Sequence, residues 1–146
     1  MIQRILVATD FSPSADEALR WAIDLARRLE ADLCLAYVAM PISTDAPRNV
    51  VRDHERMAAR AEAMLKERAA AAALATGVET ILRRGEPVHV LTEMARVGNI
   101  DLVVVGAQHH RAGDILVGSV AERLIRLAPC PVVVVKSPER RFNAAS

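Results

Sequence analysis

The sequence predicts a single α/β domain built on an open, mostly parallel, doubly wound sheet of five strands with helices on both faces. Short apolar runs alternate along the chain with longer amphipathic segments, which is typical of repeated strand-helix-strand units. Several runs are apolar at nearly every position, as expected of strands covered on both faces. The length of 146 residues suits one domain. Right-handed crossovers then predict the strand order 3-2-1-4-5.

The first strand-helix-strand unit is predicted over residues 5–39. Residues 5–8 form a short apolar strand that stops at a cluster of turn and capping residues, 9–14. From Ser14 the apolar residues recur at spacings of three and four, which predicts an amphipathic helix. Residues 32–39 return to an apolar run and form the second strand.

The middle of the chain predicts a long helix and a weaker strand. Residues 40–49 contain two prolines and read as a loop, and residues 51–75 are rich in strong helix formers. Gly77 is expected to end this helix, and residues 78–83 alternate in polarity as a third strand does.

The last third predicts two more helices and two more strands. Pro87 opens a helix that Gly98 closes, and residues 101–106 form the clearest strand of the sequence. Residues 107–117 are polar and read as irregular, a fourth helix begins at Gly118-Ser119, and residues 131–136 are the last strand. We expect the domain to cover residues 1–138 and a flexible tail to cover 139–146.

Composition argues against several classes of partner. The net charge is +1 and aromatic residues are 3% of the chain, which speaks against a nucleic-acid partner. The apolar runs are too short for a membrane span or a secretory signal, so a cytoplasmic location is expected. Cys34 and Cys130 lack metal or redox spacing and are expected to be buried, reduced thiols.

Ligands of doubly wound sheets bind where the strand order reverses, outside the carboxyl ends of the strands. Here that position falls at Ala8-Thr9-Asp10 and at Val105-Gly106. Gly118 and Ser119 at a helix start are suited to hold a phosphate through backbone N–H groups. An alternative stays open, because Ser119 and Glu122 also have the spacing of a capping box that needs no ligand.

Four further segments are informative when they are taken together: Ala8-Thr9-Asp10-Phe11-Ser12, residues 101–106, Gly118-Ser119-Val120-Ala121-Glu122-Arg123 and Ala128-Pro129-Cys130-Pro131-Val132. With them the chain resembles the universal stress protein family over residues 5–136. The ATP-binding branch of that family carries the signature Gly-x-x-Gly, nine further residues, then Gly followed by Ser or Thr. Gly106, Gly118 and Ser119 match it, whereas His109 replaces the second Gly and the following spacer is one residue shorter.

The resemblance implies a nucleotide-binding site in which the residues of the adenosine side match the family pattern more closely than those of the phosphate side. ATP or AMP is the implied ligand, with Mg²⁺ able to accompany it, and binding is expected to be weak or absent because His109 occupies space that a glycine leaves free. The implied site residues are Ala8, Thr9, Asp10, Val38, Val105, Gly106, His109, Gly118, Ser119 and Val120.

The sequence favours a regulatory stress-response protein over an enzyme. Asp10 has no paired acid, and the adjacent His109 and His110 lack the companions of a metal site, so no catalytic or metal residues are predicted. Two alternatives remain: an interaction module with a vestigial nucleotide pocket, and a slow ATPase or nucleotide transferase.

The last strand suggests a homodimer. Val132, Val133, Val134 and Val135 would lie at an open sheet edge, where pairing with a second copy satisfies the backbone and covers apolar surface. The resemblance implies the same assembly. No nucleic-acid or membrane partner is expected, and the sequence does not identify a protein partner.

Overall fold

The computed structural model describes residues 1–109, 115–116 and 118–136. Within them the chain forms a five-stranded parallel sheet in the order 3-2-1-4-5, when the strands of this sheet are counted along the chain, which confirms the predicted fold and strand order. The predicted tail, 139–146, lies outside the described residues. The strands are β1 (Arg4–Ala8), β2 (Asp32–Ala39), β3 (Val78–Arg84), β4 (Leu102–Gly106), β5 (Gln108–His109), β6 (Ile115–Leu116) and β7 (Val132–Val135). The helices are α1 (Pro13–Leu29), α2 (Arg48–Ala72), α3 (Pro87–Val97) and α4 (Ser119–Leu127).

Helix α1 begins at Pro13, within the predicted cluster of turn and capping residues and one residue before the predicted helical pattern. The Ser12 side chain accepts a hydrogen bond from the Ala15 N–H, and Pro13 occupies the first turn, where no backbone donor is needed. Small side chains dominate the buried face of α1, so the helix lies close to the sheet. The buried residues are Ala15, Ala18, Leu19, Ala22 and Ala26.

Helix α2 starts and ends earlier than the sequence predicts. It begins at Arg48 directly after Pro47, inside the predicted loop, and ends at Ala72 instead of continuing to residue 75. Ala73 adopts a left-handed conformation at φ 50° and closes the helix without a glycine, and Leu74 then packs against the core. Gly77, with φ +77°, makes the turn into β3.

The fourth strand begins one residue later than predicted, because Asp101 has a different role. Its Oδ2 accepts hydrogen bonds from the backbone N–H groups of Gln3 and Arg4, at 2.9 and 3.0 Å. These two bonds join the beginning of β4 to the beginning of β1. The Gln3 and Arg4 donors lower the pKa of the Asp101 carboxyl, since they favour its charged form.

The two faces of the sheet carry separate cores, and the two cysteines differ in burial. Leu65 of α2 belongs to the core that α1 also covers, whereas Leu91 of α3 and Leu124 of α4 belong to the opposite one. Cys34 is buried in that second core as predicted, but Cys130 is only half-buried. It lies just before the edge strand β7, where fewer elements cover it. No helix among the described residues is long and apolar enough to cross a membrane.

Candidate functional site

A cleft of about 160 Å³ opens at the carboxyl ends of β1, β2 and β4. The first turns of α1, α3 and α4 close its sides, so it lies where the strand order reverses. Eight of the ten predicted site residues line it: Ala8, Thr9, Asp10, Val38, Val105, Gly106, Gly118 and Val120. The structure therefore brings the predicted residues of four separate segments to one place.

The loop after β1 is held in one conformation by its own side chains. Thr9 is buried, and its Oγ1 accepts a hydrogen bond of 3.0 Å from the Phe11 N–H, which fixes Phe11 at φ +64°. Asp10 is exposed, and its Oδ1 accepts a hydrogen bond of 3.0 Å from the Ser12 N–H. One carboxylate oxygen of Asp10 thus orders the loop.

The first motif glycine, Gly106, touches helix α1. A Cβ atom at this position would overlap the carbonyl oxygen of Ser14 and would lie 2.9 Å from the backbone nitrogen of Ala15. In the sequence, Gly106 matches the first glycine of the ATP-binding signature. The structure gives a packing reason for this glycine, because β4 ends directly against the first turn of α1.

The start of α4 differs from the capping box that the sequence offers as an alternative. Gly118 is the N-cap residue, Ser119 is the first helical residue, and no side chain caps this end in the described part of the chain. The Glu122 N–H donates to the Gly118 carbonyl at 2.9 Å, which is the ordinary first hydrogen bond of a helix. The N–H groups of the first turn are therefore not occupied by a capping side chain.

Helices α3 and α4 are joined close to their starts. The Arg123 guanidinium donates to Glu86 Oε1 at 2.9 Å, and Glu86 also caps α3 by accepting from the His89 and Val88 N–H groups. The His89 N–H, together with the weaker Val88 and Arg123 contributions, lowers the pKa of Glu86. Because both helices line the cleft, this contact fixes the separation of two of its walls.

The segment after β4 is more regular than predicted. Gln108–His109 and Ile115–Leu116 pair as two short antiparallel strands, with Gln108 opposite Leu116 and His109 opposite Ile115. The prediction of an irregular segment is wrong for these residues, because their backbones pair as antiparallel strands. His110 lies outside the described residues, and so do residues 111–114 and 117.

The model of the universal stress protein family matches residues 1–136. The chain belongs to the universal stress protein family. The resemblance that the sequence motifs indicate is thereby confirmed.

Other universal stress proteins match nearly the whole chain. Universal stress protein YxiE of Bacillus subtilis is 30% identical and covers 93% of this chain and 100% of its own length. The structure of UspA from Lactobacillus plantarum is 28% identical, with a TM-score of 0.81, over 91% of this chain and 97% of that one. A universal stress protein solved in complex with cAMP is 34% identical, with a TM-score of 0.69, over 91% and 96% of the two chains.

Two predicted site residues of this universal stress protein do not line the cleft as described. Ser119 is exposed and lies between the lining residues Gly118 and Val120 without lining the cleft itself. His109 contributes backbone to β5, and its side chain lies outside the description. Their roles in binding stay predictions.

The sequence analysis missed further lining residues: Ser12, Ser14, Ala15, Ala36, Tyr37, Pro87, Leu91 and Ala121. The position of Tyr37 next to Val38, near the carboxyl end of β2, was the available signal. Its ring lies 4.9 Å from that of Phe11, and the Arg68 guanidinium lies 5.0 Å above the Phe11 ring. Arg68 also forms an ion pair of 2.8 Å with Asp16. Helix α2 thus supports the cleft from behind.

The polar groups of the cleft are suited to binding. It offers one carboxylate, the hydroxyl groups of Thr9, Ser12, Ser14 and Tyr37, and the first turn of α4. The described ranges contain no group of three or more side chains placed to hold a metal ion. This donor set fits a ligand with hydroxyl groups at one end and an anion at the other.

Proposed function

We propose that this universal stress protein binds an adenine nucleotide in the cleft and acts as a regulatory protein in the stress response. The proposal rests on one observation: Asp10 and the uncapped start of α4 both line the same cleft. Asp10 accepts hydrogen bonds, and the helix start donates them. A nucleoside phosphate carries ribose hydroxyl groups, which can donate to Asp10, and a phosphate group, which can accept from the start of α4.

The nucleoside end of the proposed site lies between β1 and β2. Ala8, Val38 and Val105 provide an apolar wall for a purine, and Asp10 accepts from a ribose hydroxyl through a carboxylate oxygen. The ordered loop around Thr9 lowers the cost of binding, because its conformation is already set without a ligand.

The phosphate end lies at Gly118 and Val120. A helix N-terminus favours an anion by about 0.3–1 kcal/mol near the surface, and the free N–H groups of the first turn add hydrogen bonds. This arrangement suits one phosphate better than three. The 34% identical family member solved with cAMP supports the same preference, since that ligand has a single phosphate.

We propose binding without fast chemistry. Rapid phosphoryl transfer needs a positioned nucleophile, charge stabilisation and usually Mg²⁺ ligands, and the cleft offers Asp10 as its carboxylate. Mg²⁺ would accompany a diphosphate or triphosphate as a partner of the ligand. The slow ATPase remains the alternative that a product assay with ATP and Mg²⁺ tests.

Calorimetry with AMP, ADP and ATP tests the proposal on the wild type, Asp10→Ala and His109→Gly. We expect weak binding, with AMP or ADP bound at least as tightly as ATP, and a further loss in Asp10→Ala. If His109 obstructs the triphosphate, His109→Gly raises ATP affinity. If it donates to phosphate, the same change lowers affinity, and wild-type binding strengthens as pH falls through about 6.5.

Asp53→Asn is the matched control, because Asp53 is an exposed carboxylate on α2 outside the cleft. If neither the wild type nor any variant binds AMP, ADP or ATP, the proposal is overturned. The alternative of an interaction module with a vestigial nucleotide pocket would then remain. Equal weakening in Asp53→Asn and Asp10→Ala would remove the role given to Asp10.

We also propose a cytoplasmic homodimer that pairs through β7. In the described residues β7 pairs only with β4, and its four valines are half-buried. Ile125 and Leu127, on the helix just before β7, are more than half exposed. A second copy would cover this apolar surface and pair the open edge.

A further inference from the structure

A second cavity, larger than the cleft, lies on the other side of helix α3. It occupies about 490 Å³ between α3 and the edge strand β3. Leu91 of α3 lines the nucleotide cleft, whereas Val90 and Met94 of the same helix line this groove. The two sites therefore share a helix without sharing a residue.

The middle of the groove is apolar. Leu6 and Cys34 form its floor and are buried, while Ile81, Val90 and Met94 form its walls and are half-buried. Burial raises the pKa of the Cys34 thiol to about 12, so the floor carries no charge at neutral pH. A ligand body that lies here must be apolar, because polar groups would lose their hydration without a partner.

The end near the carboxyl terminus of β3 is basic. Arg83, Arg84 and His89 line it. Arg84 is held by the backbone carbonyls of Met40 and His54, at 3.3 and 3.4 Å. The Arg83 guanidinium donates to the adjacent Leu82 carbonyl at 3.1 Å, and among the described residues no carboxylate forms an ion pair with it.

Both acidic groups of the groove are paired with arginines, and one of these, Arg4, also lines the groove. Glu79 forms an ion pair of 3.7 Å with Arg4 at the opposite end, and Glu93 is paired with Arg96 on α3. Residues 79 and 83 are four positions apart on one strand, a separation of about 13 Å at the usual rise of about 3.3 Å per residue. The groove is thus elongated, with an apolar middle, an ion pair of Arg4 and Glu79 at one end and Arg83 at the other.

We propose that this groove binds a single-chain aliphatic carboxylate. The alkyl chain lies along Ile81 and Met94 over the buried floor, and the carboxylate pairs with Arg83. Apolar complementarity supplies the affinity, and the charge at Arg83 sets the orientation. The proposal is independent of the nucleotide site, since the groove has its own lining residues.

Decanoate, kept below the concentration at which it forms micelles, is the probe, and decanol is its uncharged match. Binding is followed by calorimetry and by NMR of protein labelled at the methionine methyl groups. Met94 lines the groove, whereas Met57 on α2 is 64% exposed and serves as the internal reference. We expect saturable binding of one decanoate per chain, with a shift of the Met94 signal and none of Met57.

Arg83→Glu is the decisive variant, and Arg52→Glu on the exposed face of α2 is its control with the same change of charge. We expect Arg83→Glu to weaken decanoate binding by about fivefold to tenfold, and Arg52→Glu to leave it unchanged, because a partly exposed charge pair contributes modestly. Ile81→Ser should weaken decanoate and decanol alike.

Three results would overturn the proposal. The first is an unmoved Met94 signal at saturating decanoate, and the second is equal affinity for decanol and decanoate. The third is a Met94 signal that changes with protein concentration and not with decanoate, which would place a second copy of the chain in the groove. A circular dichroism spectrum of each variant separates lost binding from lost folding.

Discussion

The Cα atom of Gly106 packs against the carbonyl group of Ser14, so closely that a Cβ on Gly106 would lie 2.6 Å from the Ser14 carbonyl carbon. This contact joins the end of β4 to the beginning of α1 at the centre of the cleft. It explains why the first glycine of the family signature is needed even before a ligand binds.

Gly106→Ala is expected to destabilise the protein and to disturb the cleft, because the methyl group forces α1 away from β4. Overpacking of this kind costs about 1–3 kcal/mol. Chemical denaturation measures the loss, and calorimetry with AMP measures the effect on binding.

Gly77→Ala is the matched control for that prediction. A Cβ at Gly77 meets nothing within 4 Å, and the change costs only the strain of φ +77°, about 1 kcal/mol. AMP affinity should be unchanged. If both alanine variants bind AMP like the wild type, the Gly106 contact does not shape the cleft.

Two serines that precede or begin helices should respond differently to alanine. Ser12 caps α1 through its side chain, so Ser12→Ala is expected to lower the free energy of unfolding by about 0.5–2 kcal/mol. Ser119 makes no such cap, so Ser119→Ala should change stability by less than about 0.5 kcal/mol and weaken nucleotide binding modestly. Thermal and denaturant unfolding of both variants check this. A larger loss of stability in Ser119→Ala would instead support a capping role for the Ser119 side chain.

The Asp101 carboxylate should make the free energy of unfolding decrease at acidic pH. Its pKa is lowered in the folded state by the Gln3 and Arg4 N–H groups, so its contribution is present above the unfolded pKa near 3.9 and is lost as pH falls through the lower folded value. Asp101→Asn should flatten the fall in stability below about pH 4. Urea titrations between neutral pH and pH 3 measure the slope. Asp53→Asn is the control, and an identical slope in both variants would contradict the assignment.

Val133→Lys is expected to convert the proposed homodimer into a monomer, because a charge at the middle of β7 opposes pairing of two edges. Sedimentation at micromolar concentration measures the change. Met57→Lys, at an exposed position on α2, is the control and should stay dimeric. A monomeric wild type at this concentration would contradict the proposed homodimer.

The sequence was sufficient for the strand order and for half of the residues that line the cleft, since the strands, their carboxyl ends and the family motifs can be recognised in it. Strands such as residues 101–106 are recognisable from apolar runs, and parallel order brings their carboxyl ends together. The end of α2 was not predictable in the same way. Ala73 accepts a left-handed conformation that usually favours glycine, because Leu74 gains contacts with the core.

Contacts between distant segments were also beyond the sequence. The contact between the Phe11 and Tyr37 rings and the position of Arg68 above the Phe11 ring join three segments that only the finished fold brings together. Ser119 likewise does not occupy the N-cap position that its spacing to Glu122 suggests. Its spacing to Glu122 fits the motif, but the helix begins one residue earlier than the motif requires, with Gly118 at the cap.

The burial of Cys34 has a consequence for oxidative conditions. Peroxides and disulfides react with thiolates, and a thiol whose pKa is about 12 supplies almost none at neutral pH. The half-buried Cys130 also has a raised pKa, because desolvation and the nearby Asp101 charge disfavour its thiolate. The buried Cys34 sulfur is therefore poorly suited to react with an oxidant at neutral pH.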